Sequence, residues 1–150
     1  MRSVAYFVAM TSLLGAAPSN AFDPSGVSIA GLRLGMPEAE IVAAIRRQGF
    51  ALTHDHGALI AKTRDGRLIV DLTEDQAALR IRYVFNGNGA GEPEKILASV
   101  LDQFGPPNQA QPIAWCGAVG HDGNCPADAA SLSFLPETRT LLLQKAAAPQ

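Results

Sequence analysis

The sequence predicts an α+β protein built from two fused helix-plus-antiparallel-strands units, each running helix, strand, strand, strand, with the helices packed on one face of a sheet. Three observations carry this reading. An amphipathic segment started by proline and ended by glycine occurs twice, within Leu34 to Phe50 and again within Glu92 to Gly105. Each is followed by short runs in which apolar residues alternate with polar ones, the period of a strand with one buried face. Between the two lies NGNGAG, Asn86 to Gly91, with the composition of a turn or hinge.

The first residues, 1–21, have one early positive charge at Arg2, an apolar run from Val4 to Ala17 and a small-residue ending at Ser19-Asn20-Ala21. This pattern is that of a secretory signal peptide cleaved after Ala21. The apolar run is short for a permanent membrane anchor, and no later stretch approaches the roughly 20 apolar residues a spanning helix requires. No cysteine lies near the cleavage point, so lipid attachment there has no acceptor. The expected location is periplasmic or secreted. The chain's net charge is −2, and removing Arg2 makes it one unit more negative. A weakly acidic chain has no general attraction for nucleic acid or an anionic membrane.

The first unit is placed at residues 22–88. A short leading strand is expected around Val27 to Leu32. Pro37 then sits at the start of a helix, where its missing amide hydrogen costs no helix hydrogen bond. Glu38 and Glu40 near the helix start and Arg46 and Arg47 near its end suit the helix dipole, and Gly49 closes it. Aligning Gly49 with Gly105 without gaps brings Pro37 onto Pro93, Glu38 onto Glu94, Ile41 onto Leu97 and Ile45 onto Leu101. In the second copy Leu97, Val100, Leu101 and Phe104 follow the spacing of one helix face. Strands are expected in ALIAKT, RLIVDLT and ALRIRYVFN of the first unit. In the second unit, residues 89–150, they are expected in PIAWC, ASLSFLP and TRTLLLQKA. The growth in spacing between matching strands coincides with WCGAVGHDGNCP, which reads as an insertion. In an exported chain its Cys116 and Cys125 are expected to form a disulfide closing a glycine-rich loop. Free thiols and a metal site are the alternatives.

The phrase GLRLGMPEAEIVAAIRRQGF followed by antiparallel strands resembles the BamE/SmpA-OmlA group of bacterial envelope proteins, in which a Gly-Met precedes a short helix that a glycine closes. QFGPP followed by AWC in the second unit looks like the same group's helix end and strand tryptophan. The tandem arrangement is similar to the fold of beta-lactamase inhibitor protein, in which two helix-plus-strands repeats share one sheet. The resemblance spans about Gly31 to Lys145. It implies a fold and an expectation of binding something in the bacterial envelope.

Residues able to do chemistry are few. His54 and His56 in THDH would share a side of an extended strand, with His121 as a third possible metal ligand. Because the cluster follows a helix end and precedes Gly57, it reads better as an exposed turn. Ser99, Ser131 and Ser133 lack a nucleophile-elbow sequence, paired cysteines offer no thiolate, and Gly31 and Gly35 lack the spacing and lysine of a phosphate-binding loop. Neither an enzyme nor a cofactor is expected. Lys62, Arg64, Arg67, Arg80 and Arg82 make the one concentrated positive region. Arg80 and Arg82 flank Ile81 and so point to the sheet's outer side, where they can meet a carboxylate or phosphate. The alternative is an ordinary solvated sheet face whose charge is balanced by the nearby Asp65, Asp71, Glu74 and Asp75. Trp115, beside the constrained loop, is either a core residue or a contact anchor. The function expected is a non-enzymatic binding or scaffolding module that contacts an envelope or secreted protein through its sheet face and loops. A small-ligand or metal-binding protein is the alternative, followed by a periplasmic hydrolase.

Overall fold

The computed structural model describes residues 22–87 and 91–145. The expected signal peptide and the last five residues lie outside this range, as does the centre of the NGNGAG hinge. The chain forms helix α1 (Glu38–Arg47), strands β1 (Ala51–Asp55), β2 (Ala58–Lys62), β3 (Gly66–Leu72) and β4 (Ala78–Phe85), and helix α2 (Pro93–Phe104). Strands β5 (Gln109–Ala110), β6 (Ile113–Cys116), β7 (Ser131–Leu135) and β8 (Thr140–Gln144) follow. All eight strands join one antiparallel sheet in the order β1-β2-β3-β4-β8-β7-β6-β5. The class is therefore mixed α+β and mostly sheet. Among the described residues each helix is followed by four strands, which corrects the expected three.

The additional strand of the first half is the THDH segment, expected to be a turn. It pairs from Ala51 with Lys62 to Asp55 with Ala58. Its reversal is made by His56 and Gly57, at φ 45° and 81°. Two consecutive positive φ values match the twist of a tight hairpin, and glycine at the second position makes this geometry accessible. The expected leading strand is replaced by a single antiparallel bridge between Ile29 and Leu32. Val27, Ile29 and Leu32 are nonetheless buried in the core. This segment contributes packing without extending the sheet.

Helix α1 ends as its sequence suggests. Gly49 has φ 77°, its amide donates to the Arg46 carbonyl at 2.9 Å, and the Phe50 amide reaches back to Ile45 at 3.4 Å. These two bonds are those of a Schellman end, which needs the left-handed conformation that glycine adopts without steric penalty. Ile41, Ala44 and Ile45 face inward. In α2 the fully buried pair is Ile96 and Val100, with Leu97, Leu101 and Phe104 partly buried against the same cluster. The apolar face is thus centred one residue earlier than the Leu97-led stripe implies.

Both helices meet the same side of the sheet. Trp115, Leu132, Leu143, Ile81, Val70 and Leu59 stand side by side across six consecutive strands, as the pairing registers require. All six belong to one buried cluster with Ile41, Ile45, Ile96 and Val100. The two meanders are joined where β4 pairs with β8, placing Ile81 opposite Leu143 and Tyr83 opposite Leu141.

Gly66 allows the close approach of β3 to β4. A Cβ there would meet the Val84 carbonyl and the Tyr83 ring inside van der Waals distance. Gly66→Ala is expected to lower stability by about 1–3 kcal/mol through overpacking, read as a lower urea midpoint with an unchanged m-value. An unchanged midpoint would contradict the tight β3–β4 packing.

Candidate partner-binding face

Strand pairing places a second set of side chains on the side of the sheet away from the helices. Ile60, Ile69, Arg82 and Leu142 occupy one row, with Asp71 and Arg80 in the next. Ile60 and Leu142 are half-buried and Ile69 is buried, although Ile69 is not among the residues of the helix-side core cluster. The centre of this face is an ion cluster. Arg82 Nη2 donates to both Asp71 carboxylate oxygens, at 3.0 and 3.2 Å, and Arg80 Nη1 lies 3.7 Å from Asp71 Oδ2. The Arg82 Nε–H is buried without a partner among the described residues. Exposed ion pairs contribute only about 0–1 kcal/mol. The main consequence of this cluster is electrostatic: one carboxylate serves two guanidinium groups and leaves positive charge on the face.

Arg67, also predicted from the sequence, is on the same face. It pairs across the sheet with Lys62 on β2 and Val84 on β4. Lys62, Thr63, Gly66, Arg67, Val84 and Asn86 line an open cleft of about 510 Å³. Arg64 is exposed in the adjoining turn and does not line this cleft.

Trp115 is not available as a contact surface. It is 1% exposed, and its indole Nε1–H donates to the Gly105 carbonyl at 2.9 Å. The ring fixes the end of α2 to β6, so of the two readings of this residue the structure supports core packing. The disulfide Cys116–Cys125 is present. Both of its ends are anchored near β5, with Asn108 Oδ1 accepting from the Cys116 amide at 2.8 Å and Gln109 Oε1 from the Cys125 amide at 2.7 Å. The loop exposes Val119, a large apolar residue at 48% exposure. Within the loop, the Asp122 carboxyl is held below its ordinary value of 3.8 by the Asn124 side chain and then by the Asn124 backbone amide. Because the folded value is depressed, this turn is favoured above pH 3.8 and loses the contribution as pH falls through the folded value.

The histidines do not assemble. His54 Nε2 lies 3.0 Å from Glu38 Oε1 and ties edge strand β1 to the start of α1. His56 contacts the neighbouring Asp55, and His121 is exposed in the disulfide loop. Among the described residues no group of three or more His, Cys, Asp or Glu side chains is placed to hold a metal ion. Nor is any helix among them long and apolar enough to cross a membrane.

Sequence reading placed Asp71 near the arginines as a balancing acid but missed Ile60, Ile69 and Leu142 as parts of this face. The segments ALIAKT, RLIVDLT and TLLLQ are apolar at consecutive positions, which is the available signal that both sides of these strands carry apolar groups. Comparison with protein-family models, curated proteins and solved structures found no match to the chain.

Proposed function

We propose that the protein is an exported, non-enzymatic binding or scaffolding module of the bacterial cell envelope, which contacts another protein through the sheet face opposite its helices. The observation that carries this reading is that both helices lie on one side of the sheet, while the other side is covered only in part, around the disulfide at β6 and β7. Both helices and the Val27 to Leu32 segment pack against one side, while the other holds partly buried apolar groups around the Arg82–Asp71–Arg80 cluster. Apolar groups interleaved with arginine are the composition that anchors protein interfaces. The disulfide suits an oxidising compartment, and the periplasm or the exterior is the location proposed.

This reading also takes the two helix-plus-meander halves as copies of one unit. Its supports are the shared proline and glycine positions of the helices and a strand order that mirrors about the β4–β8 pair. The resemblance to BamE/SmpA-OmlA envelope modules and to the tandem fold of beta-lactamase inhibitor protein agrees with it. In such an arrangement the sheet is the common product of both halves, and its side opposite the helices carries residues of both.

Capture from envelope extract with the tagged protein tests the function. The protein is expected to retain a discrete partner. Ile60→Glu with Leu142→Glu should reduce recovery at least 10-fold, the scale of one or two lost interface anchors. Glu40→Lys with Asp102→Lys, exposed on the helices, should leave recovery unchanged. Retention of a metal or small molecule with no enriched protein would favour the ligand-binding alternative. A partner indifferent to the Ile60 and Leu142 changes would place the contact elsewhere.

A further inference from the structure

We propose that the cleft lined by Lys62, Arg67 and Asn86 is an acid-recognising pocket that takes a carboxylate-bearing segment of the protein partner. This rests on the preceding reading of the sheet face as a contact surface and adds the chemistry of what occupies one end of it.

Three observations converge on this cleft. Lys62 and Arg67 stand directly opposite each other on adjacent strands, an arrangement in which like charges destabilise a sheet. Neither has an ion-pair partner among the described residues, where the pairs found are His54–Glu38, His56–Asp55 and the two arginines on Asp71. Asp65, in the turn that links their strands, pairs with neither. Two unneutralised cations are therefore held side by side by the backbone of a hairpin, in a position where folding gains nothing from their proximity. An anionic group placed between them would relieve the repulsion and accept hydrogen bonds from both.

The second observation is concavity. The two cations line an open cleft with Thr63, Val84 and Asn86. It offers the side-chain amide of Asn86 beside the charges and an apolar wall at Val84, while the Thr63 hydroxyl is engaged by the Tyr83 hydroxyl at 2.6 Å. This mixture suits a peptide, whose carboxylate is accompanied by backbone amides and apolar neighbours.

The third is the sign of the surrounding face. By register, Lys62, Arg67, Arg80 and Arg82 share the side opposite the helices with Asp55 and Asp71, so that side is positive on a chain whose net charge is −2. The imbalance would steer an acidic partner segment to this side. An anionic bilayer fits less well. Clusters of about four to eight Lys or Arg with little opposing charge mark lipid-binding surfaces, and here two carboxylates are interspersed among the cations.

The test is a titration of the folded, isotope-labelled protein, followed by NMR, with a blocked peptide of alternating glutamate and leucine. A glutamine–leucine peptide, inorganic phosphate and phosphatidylglycerol vesicles serve as comparisons. The glutamate peptide is expected to shift the amide signals of Lys62, Thr63, Arg67 and Asn86 and to bind at least five-fold more tightly than the glutamine peptide. Its affinity should fall as salt is raised. Lys62→Glu with Arg67→Glu should weaken it at least ten-fold. Both side chains are exposed, and the milder pair Lys62→Gln with Arg67→Gln, checked by thermal melt, separates charge from folding. Equal binding of the two peptides, no binding, a response to phosphate alone, or preferential binding of the vesicles through Lys62 and Arg67 would overturn the proposal. A partner captured through Ile60 and Leu142 by a protein that shows no acid selectivity would refute this inference while leaving the contact-surface reading standing.

Discussion

Trp115→Ala is expected to lower the free energy of unfolding by about 3–5 kcal/mol, the range for removing a large aromatic side chain from a packed core. The residue is 1% exposed and lies beside Phe104, at a ring-centroid distance of 6.3 Å. Phe104 in turn packs edge-on to Phe22 at 6.4 Å, so the cavity would open beneath the end of α2 and loosen the N-terminal segment as well. Part of the loss is polar. The indole N–H donates to Gly105 at 2.9 Å, and the carbonyl of a helix end otherwise has no partner within the helix. Trp115→Phe preserves most of the ring volume while removing that donor, and should cost about 1–3 kcal/mol. Urea unfolding followed by circular dichroism measures both variants. Because Trp115 is the chain's only tryptophan, its fluorescence reports the same transition in the unaltered protein.

Cys116→Ser with Cys125→Ser is expected to cost roughly 2.5–3 kcal/mol, the chain-entropy value for a closed loop of about ten residues. Stabilities of small domains are about 5–15 kcal/mol, so a loss of this size would be plain in a denaturation midpoint. The effect should be concentrated in the unfolded chain, because the loop ends keep their hydrogen bonds to Asn108 and Gln109. The folded sheet of the variant is therefore expected to give an unchanged circular dichroism spectrum. A midpoint insensitive to these substitutions or to reductant would show that the loop is already restricted without the bond.

What could be read from the sequence follows from which interactions are local. Helix α1 was legible because its charges, apolar spacing and terminal glycine all lie within one short segment. The disulfide was legible because the two cysteines are near neighbours in an otherwise cysteine-free chain. Strand β1 was not, since four of its five residues are exposed and an edge strand of that kind has no apolar alternation. Only the His56-Gly57 reversal marked it. Strand β5 is two residues long and exists through its pairing with β6. Ile96 is less legible because Leu97, Val100, Leu101 and Phe104 already fit one helix face, although an apolar residue on either side of a stripe can lead it.

The site divides in the same way. That Arg80 and Arg82 point away from Ile81 follows from strand period alone, and Arg82 does reach the side opposite Ile81 and meets Asp71. The pairing of Lys62 with Arg67 needs the hairpin register, and the company of Leu142 needs the contact between β4 and β8, formed by residues some sixty positions apart. For Trp115 the strand pattern itself favours the core reading. Ile113 and Trp115 are two apart in one strand and share a side, and Ile113 packs against the core.

The most direct measurement is photo-crosslinking in intact envelopes, with a photoreactive p-benzoylphenylalanine placed singly at Ile60, Leu142, Glu40 or Asp102. The sheet side opposite the helices is predicted to yield one common crosslinked protein from positions 60 and 142, and none from the helix positions 40 and 102. The same product arising from the helices, or no protein product from either sheet position, would contradict the proposal that the sheet face is where this protein works.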